Sequence, residues 1–229
     1  MLTISAHKME IKFEDVIRNA ASGLQVVTVE ADVTNSETSE ELWSLITRAA
    51  DDLRSVTEMS DINKRPGIKA TREAYKALGK EPNRYRPSSE ALCRRVVKGL
   101  ELYRINALVD LINLISMQSG YSIGGFDIDK IEGDTLVLGA GRCEEPFEGI
   151  GRGTLNIENL PVYRDKVGGV GTPTSDNERT KLDLTTSRLL MCINIYGEEM
   201  PVDDTVALTV SLLERFADAK NINVKIYRP

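Results

Sequence analysis

Residues 106–131, NALVDLINLISMQSGYSIGGFDIDKI, decide the fold class of this chain. Asn106 is a favourable helix N-cap, and the residues from Leu108 to Ile115 are apolar on nearly every side, which is typical of a buried helix. From Ile123 onwards, stretches rich in β-branched residues alternate with glycine-rich turns, which indicates β-strands. A buried helix followed by strands predicts an α+β protein, a layered sandwich in which helices cover β-sheets.

The same patterns predict elements on both sides of this stretch. The first 36 residues are predicted to form strands and turns, and Thr38 with Glu41 makes a capping box that starts a helix ending near Glu58. The other predicted elements are helices at 68–78, 88–99 and 205–219, and strands at 24–29, 135–138, 154–157, 189–196 and 224–227. We expect one domain over 1–229, in which 1–83 complete the fold, 84–191 form its core and 192–229 add a closing strand and helix.

The composition is that of an acidic chain with an ordinary core. Of its 229 residues, 41% are hydrophobic and 28% are charged, and the formal net charge is -6. This charge disfavours tight non-specific binding of DNA or RNA, although it is compatible with a small basic patch for one RNA end. No apolar run approaches the ~18 residues that cross a bilayer, and no secretory signal is recognisable, so we expect a cytoplasmic protein with no membrane partner.

The cysteines and the histidine exclude several chemistries. Cys93, Cys143 and Cys192 are far apart and odd in number, so they are predicted to be core residues rather than a disulfide framework. The single histidine, His7, has no catalytic context around it. Because neither residue type clusters and no nucleotide-binding loop is present, we expect no metal and no cofactor.

The stretch 144–180 carries most of the functional signal. It combines the glycines of 149–153 and 168–171 with Thr, Ser, Asp and Arg side chains. Glycines let a backbone approach a ligand closely, so this composition indicates a site for a small polar ligand or an RNA end. A set of ordinary hairpin turns is the alternative interpretation.

Two groups of charged residues have a functional and a structural interpretation each. Asp127, Asp129 and Glu132 are either acid–base or cation-binding groups, or solvated turn residues. A basic set on and near the third helix contacts an RNA backbone or forms a solvated helix face, and it consists of Arg86, Arg94, Arg95, Lys98 and Arg104.

Two motifs and one loop resemble a known family. VDLIN at 109–113 and FDIDKI at 126–131 resemble motifs of the tRNA-editing module of the bacterial phenylalanyl-tRNA synthetase beta subunit. The loop 168–180 resembles the Gly-Gly-Glu and Ser/Thr loop of that module, and the resemblance covers about 84–191. Small free-standing relatives of the module also share the runs PSSEAL, GIGRG and PTSDxERT of this chain.

In the synthetase, this module hydrolyses wrongly charged tyrosyl-tRNA. The resemblance therefore implies a free-standing editing-like domain that binds the aminoacylated tRNA end and hydrolyses a mischarged ester, without charging tRNA itself. It implies that Thr172, Thr174 and Ser175 are catalytic groups that position water. The residues that it implies for substrate binding are Gly124, Gly125, Phe126, Glu148, Gly151, Arg152, Gly168, Gly169, Gly171, Asp176 and Arg179.

Two side chains of the family's editing site are replaced in this chain. Gly124 stands where the family has a histidine, and the glutamate after the paired glycines is replaced near Thr172. These replacements leave a second hypothesis open, a non-catalytic module that binds a free amino acid or an RNA end. A protein-interaction domain is a third hypothesis, and it predicts a large apolar surface patch in place of a pocket.

Overall fold

The computed structural model describes residues 8–229, so His7 lies outside the described residues. The helices are α1 (Asp15–Ala20), α2 (Glu40–Val56), α3 (Pro66–Ala77), α4 (Ser88–Val97), α5 (Ala107–Ser119) and α6 (Val202–Ala217). The strands are β1 (Glu10–Phe13), β2 (Gln25–Asp32), β3 (Ser122–Asp127), β4 (Thr135–Ala140), β5 (Glu148–Gly149), β6 (Gly153–Thr154), β7 (Pro161–Arg164), β8 (Gly169–Gly171), β9 (Arg188–Ile195) and β10 (Lys220–Tyr227). The predicted α+β class is confirmed.

The fold has three layers, a group of helices and two four-stranded sheets. The central sheet has the antiparallel order β10-β2-β9-β3, and the outer sheet has the order β1-β4-β7-β8. Along β2, Val27 and Val29 pack in the cluster that contains the helices, while Val26 packs in the cluster that contains the outer sheet. Because both faces of β2 are covered, its apolar residues do not simply alternate with polar ones, and Val26 and Val27 are buried on opposite faces.

The central sheet joins segments that are distant in the sequence. The strand β9 pairs with β2 on one side and with β3 on the other, and β10 pairs with the outer edge of β2. Residues before position 83 and after position 192 therefore contribute strands to the same sheet as β3. No helix within residues 8–229 is both long and apolar enough to cross a membrane.

The helix ends follow the local capping chemistry. Asn106 caps α5 as predicted, because its side chain accepts a hydrogen bond from Val109 N at 3.0 Å. Gly120 ends this helix with a φ of 76°, a left-handed conformation that glycine adopts without strain. The predicted capping box at Thr38 is wrong. Ser39 is the N-cap of α2, because the Thr38 hydroxyl donates to the buried Asp110 carboxylate instead.

Three further predictions are wrong in detail. The first 36 residues include α1, a six-residue helix that is too short to give a periodic signal. The strand predicted at 154–157 is limited to β6, since Leu155 N bonds to Phe147 O and Ile157 enters a small separate core. Cys143 is exposed, whereas Cys93 and Cys192 are buried as predicted.

Candidate functional site

A cleft of about 490 Å³ opens where α4, α5 and β3 meet the loop after β8. We call it the carboxylate cleft, because Asp176 lies in it. Its walls are mainly aliphatic side chains, to which Leu92, Val109 and Ile123 contribute. The lining residues are Ser88, Leu92, Ile105, Asn106, Val109, Ile112, Asn113, Ser116, Ile123, Gly125, Ile150, Asp176 and 181–184.

Asp176 is the polar centre of this cleft. Its Oδ2 atom accepts a hydrogen bond from the backbone N–H of Gly125 at 3.1 Å. Burial raises the pKa of Asp176 to about 7, and the hydrogen bond from Gly125 opposes this only in part. No Lys or Arg within residues 8–229 forms an ion pair with this carboxylate, and the residue as a whole is half-buried. A carboxyl group that titrates near neutral pH in an aliphatic cleft is a candidate acid–base or cation-binding group.

The loop of residues 172–177 that carries Asp176 is held from three sides. Ile150 N donates to Asp176 O at 3.1 Å, and Ser88 N, at the start of α4, donates to Pro173 O at 2.7 Å. Within the loop, Thr172 Oγ1 accepts from the backbone N–H groups of Thr174 and Ser175. The loop is therefore a rigid junction between α4, β3 and the β5–β6 turn.

The three hydroxyl groups predicted to be catalytic are engaged in this junction. Thr172 is buried and bonds within the loop, and Thr174 Oγ1 lies 2.9 Å from the buried Tyr75 Oη. Ser175 Oγ donates to the backbone carbonyl of Asp176. The geometry gives these groups the role of positioning Asp176, and their catalytic role stays a prediction.

The glycines on β3 and β8 make room for neighbouring groups. A Cβ atom on Gly171 would lie 2.7 Å from Asp176 Oδ1, and one on Gly124 would lie 2.5 Å from the Phe126 ring. A Cβ atom on Gly125 would lie 2.5 Å from Ile112 Cδ1. Gly125 lines the cleft, whereas the Phe126 side chain is fully buried in the core between the sheets and cannot contact a ligand there.

The other predicted substrate-binding residues fall into separate places. Gly168 N donates to Asp165, and Arg179 makes a bidentate ion pair with the same carboxylate. These groups are therefore engaged within the fold, outside the lining of the cleft. Gly169 lies on β8 against the Phe147 ring. The exposed hairpin of β5 and β6 holds Glu148 on its first strand and Gly151 and Arg152 in its turn.

A second cleft, also about 490 Å³, lies beside the first. We call it the basic cleft, and its lining residues are Met59, Arg84, Arg86, Ala91, Arg94, Arg95, Lys98, Leu100 and Arg152. Within residues 8–229, four of its basic side chains form no ion pair with a carboxylate, and these are Arg84, Arg95, Lys98 and Arg152. An acidic protein thus carries a concentrated positive site.

A buried carboxylate organises one wall of the basic cleft. Glu90 is inaccessible to solvent and pairs with Arg72 and Arg94, each at 2.8 Å. Arg86 lies 4.0 Å from the same carboxylate. Arg95, which also lines the basic cleft, lies over the Tyr103 ring at 4.1 Å. The prediction that Arg104 belongs to this basic set is wrong. Its guanidinium lies over the Trp43 ring and pairs with Glu40.

The two clefts share their dividing wall. On α4, Leu92 faces the carboxylate cleft and its neighbour Ala91 faces the basic cleft. On the β5–β6 turn, Ile150 lines the carboxylate cleft and Arg152 lines the basic cleft. A ligand that crosses this wall can place negative groups in one cleft and a positive or apolar group in the other.

The predicted carboxylate group at 127–132 has a structural role. Asp127 is buried, accepts from Asp129 N and Thr186 Oγ1, and lies 3.3 Å from Lys130 Nζ. Asp129 pairs with Arg188 at the surface. Within residues 8–229, no group of three or more His, Cys, Asp or Glu side chains is arranged to hold a metal ion.

Asn113 and Arg84 line the clefts but were not among the predicted site residues, although Asn113 is the last residue of the VDLIN motif. Asn113 lines the carboxylate cleft, and its side chain makes no hydrogen bond within residues 8–229. Its signal in the sequence is a polar side chain between the apolar residues Ile112 and Leu114 of α5. Arg84 lines the basic cleft, and it lies in a loop that is polar throughout, so composition did not distinguish it.

Comparison with known proteins matched the chain to a protein family and to several solved structures. The family model of the B3/4 domain matches residues 70–203. Among solved structures, the chain is similar to an N-terminal fragment of the phenylalanyl-tRNA synthetase beta-subunit from Pyrococcus horikoshii, with 12% identity and a TM-score of 0.44. That match covers 96% of this chain and 51% of the fragment, so the chain spans about half of the fragment's length. No curated protein matches the chain significantly.

Proposed function

The chain belongs to the B3/4 domain family and is a relative of the phenylalanyl-tRNA synthetase beta-subunit module, and on this premise we propose that it binds an aminoacylated tRNA end and hydrolyses the aminoacyl ester. The observation that carries the proposal is the shared wall of the two clefts, where Ile150 and Arg152 face opposite sides. An aminoacylated RNA end has phosphates and an aminoacyl group within a short distance, which is the combination that two adjacent clefts of this kind accommodate.

The basic cleft is suited to the phosphates. Arg84, Lys98 and Arg152 are exposed and have no carboxylate partner within the described residues, so phosphates are the natural anions for them. The protein as a whole is acidic, with a net charge of -6. This overall charge repels polyanions elsewhere on the surface and favours contact with a few phosphates at one place.

The carboxylate cleft is suited to the aminoacyl group and to the hydrolytic step. A carboxyl group with a pKa of about 7 is a general base matched to neutral pH, because it is partly ionised and still basic enough to accept a proton from water. In this mechanism, Asp176 takes a proton from an attacking water whose oxygen bonds to the ester carbonyl carbon. The bond between that carbon and the ribose oxygen then breaks, and Asp176 returns the proton to the ribose oxygen. In this mechanism, the Asp176 carboxylate provides a base in a chain where Gly124 replaces the family's histidine.

A second candidate function is binding of the same end, or of a free amino acid, without hydrolysis. The hydrogen bonds of the Thr172 hydroxyl within its loop and of the Thr174 hydroxyl to Tyr75 favour this function, because both hydroxyl groups are already engaged. In that case, Asp176 serves only to hold a cation.

Deacylation of a complete panel of charged tRNAs tests the proposal. The native protein is compared with Asp176→Asn and with Asp52→Asn, a matched change at an exposed aspartate on α2. We expect one group of aminoacyl-tRNAs to be cleaved by the native and Asp52→Asn proteins, with at least ~100-fold slower cleavage by Asp176→Asn. If no charged tRNA is cleaved by the native protein, hydrolysis is excluded and the binding function takes its place.

A further inference from the structure

The charged side chains that line the carboxylate cleft differ in whether they are free to pair with a charged ligand. Three charged side chains line it, namely those of Asp176, Lys181 and Asp183. Lys181 Nζ pairs with Glu178 at 2.7 Å, and Asp183 pairs with Lys130 at 2.6 Å. Asp176 is therefore the charged group of the lining that has no opposite charge beside it in the described part of the chain. The cleft offers a site for one cation and no free cation for an anion.

We propose that the cleft selects an α-amino compound whose carboxyl group is esterified and whose side chain is apolar, with the Asp176 carboxylate accepting hydrogen bonds from its ammonium group and from the attacking water at different lone pairs. This inference rests on the proposed function, and it names the substrate class of that site. A free amino acid has both an ammonium and a carboxylate group. Its carboxylate would enter the cleft without a cationic partner, and burying an unpaired charge is costly.

An ester avoids this cost because its carbonyl group is neutral. The side-chain amide of Asn113 is unengaged in the same lining and supplies an N–H donor for a carbonyl oxygen. The amide cannot replace a cation, since it neutralises no charge. Asp176 and Asn113 together thus complement an ammonium group next to a neutral carbonyl, which is the head of an aminoacyl ester.

The remaining lining sets the side-chain preference. Ile112 and Leu182 both approach Gly125 closely enough that a Cβ atom there would meet them at 2.5 and 2.9 Å. With Val109 and Ile123 they form an aliphatic surface that has no polar group of its own. A polar side chain would leave its hydrogen-bonding groups unpaired against this surface, whereas an apolar one gains from burial.

The groups that face Asp176 are neutral or already paired, so burial is the main influence on the pKa of its carboxyl group. Behind it lie Tyr163 on β7 and Cys192 on β9, and burial raises the pKa of both, so they are neutral at pH 7. Lys181 and Asp183 line the cleft but are paired, and the residues contributed by α4, α5 and β3 carry no titratable side chain. Ammonium binding should therefore weaken as Asp176 becomes protonated below about pH 7.

Calorimetric titration with L-leucinamide, a stable carboxyl-blocked probe, tests the inference on the full chain. We expect it to bind at least about tenfold more tightly than free L-leucine and than N-acetyl-L-leucinamide, which has no ammonium group. Amides of serine and aspartate should bind at least about tenfold more weakly than leucinamide. Asp176→Asn should lose leucinamide binding, and Asp52→Asn should keep it.

Several results would overturn the inference. Equal or tighter binding of free leucine, undiminished binding of the acetylated amide, or no saturable binding of leucinamide up to about 10 mM would each do so. At least tenfold tighter binding of leucyl-glycinamide would assign the cleft to a peptide amino terminus instead. The comparison of ligands on the native protein does not depend on the folding of any variant. Leucinamide binding without tRNA deacylation would remove only hydrolysis, and deacylation without this ligand preference would remove only the inference.

Discussion

The carboxylate of Asp176 accepts a hydrogen bond from the backbone N–H of Gly125 at 3.1 Å, and this is the one hydrogen bond that the side chain makes within residues 8–229. A buried carboxylate elsewhere in the chain, Glu90, is paired with two arginines. Glu90 is thus a structural carboxylate whose charge is balanced by arginines, whereas the charge of Asp176 has no opposite charge beside it in the described residues. Such an arrangement lowers stability and is retained at functional sites.

The replacement Asp176→Asn should raise stability while it removes function. The pKa of Asp176 is raised in the folded state from 3.8 to about 7, so the native protein binds a proton more tightly when folded, and its stability falls as pH rises between these two values. Asparagine has no negative charge to bury, so the loss of stability with rising pH is removed. Its side-chain oxygen can still accept the hydrogen bond from Gly125 N–H. At pH 8 we expect the free energy of unfolding to increase by ~1–3 kcal/mol, with the two proteins converging near pH 4.

Denaturant unfolding of both proteins from pH 4 to pH 8 measures this difference. Because all other titrating groups are common to the two proteins, their contributions cancel in the comparison. A pH-independent difference would mean that Asp176 titrates at an ordinary value.

The basic cleft should contribute most of the affinity for RNA. Lys98→Ala and Arg152→Ala remove exposed cations that have no carboxylate partner in the described structure. Each should weaken binding of a tRNA acceptor-stem RNA by about three- to tenfold and reduce the salt dependence of log K by about one unit. Arg48→Ala, at an exposed position on α2, is the matched control. Equal effects of all three changes would indicate non-specific attraction.

Enlarging Gly125 should narrow the carboxylate cleft. In Gly125→Ala, the new methyl group would meet Ile112 Cδ1 at 2.5 Å and Leu182 Cδ1 at 2.9 Å, so these side chains must move. We expect a loss of about 1–3 kcal/mol in the free energy of unfolding and weaker leucinamide binding. Gly23→Ala is the control, since a methyl group there has no neighbour within 4 Å. Thermal melting and calorimetry check the two effects, and unchanged affinity would place the ligand away from β3.

Removing the ion-pair partner of Lys181 should change the preference of the carboxylate cleft for a ligand with a blocked carboxyl group over one with a free carboxylate. Glu178→Gln removes the counter-ion that lies 2.7 Å from Lys181 Nζ, while glutamine can still accept from Gly151 N. The released ammonium group then supplies a partner for a ligand carboxylate. We expect free leucine to bind about three- to tenfold more tightly, with leucinamide unaffected. The double variant with Lys181→Gln should return to the native preference. An equal gain for both ligands would contradict this account.

Local sequence was sufficient for much of the fold. The helix α5 follows from an apolar run, a capping asparagine and a terminal glycine, all of which act over a few residues. The sequence failed at α1, which is only six residues long, and at Thr38, whose hydroxyl bonds to Asp110 across the fold. A side-chain contact between residues 72 positions apart has no signature in either segment.

The sequence by itself determined the α+β class, the helix boundaries near their caps, and the glycine-rich segment that contains Asp176, because these depend on backbone preferences and on patterns of burial within short stretches. Only the tertiary structure decided which polar groups are free. It brings Arg152 to the arginines of α4, engages Thr172 and Arg179 within the fold, and leaves Asp176 without a cationic partner among residues 8–229. The pKa and the availability of a side chain depend on desolvation and on charges that distant segments supply, and a linear pattern does not contain either.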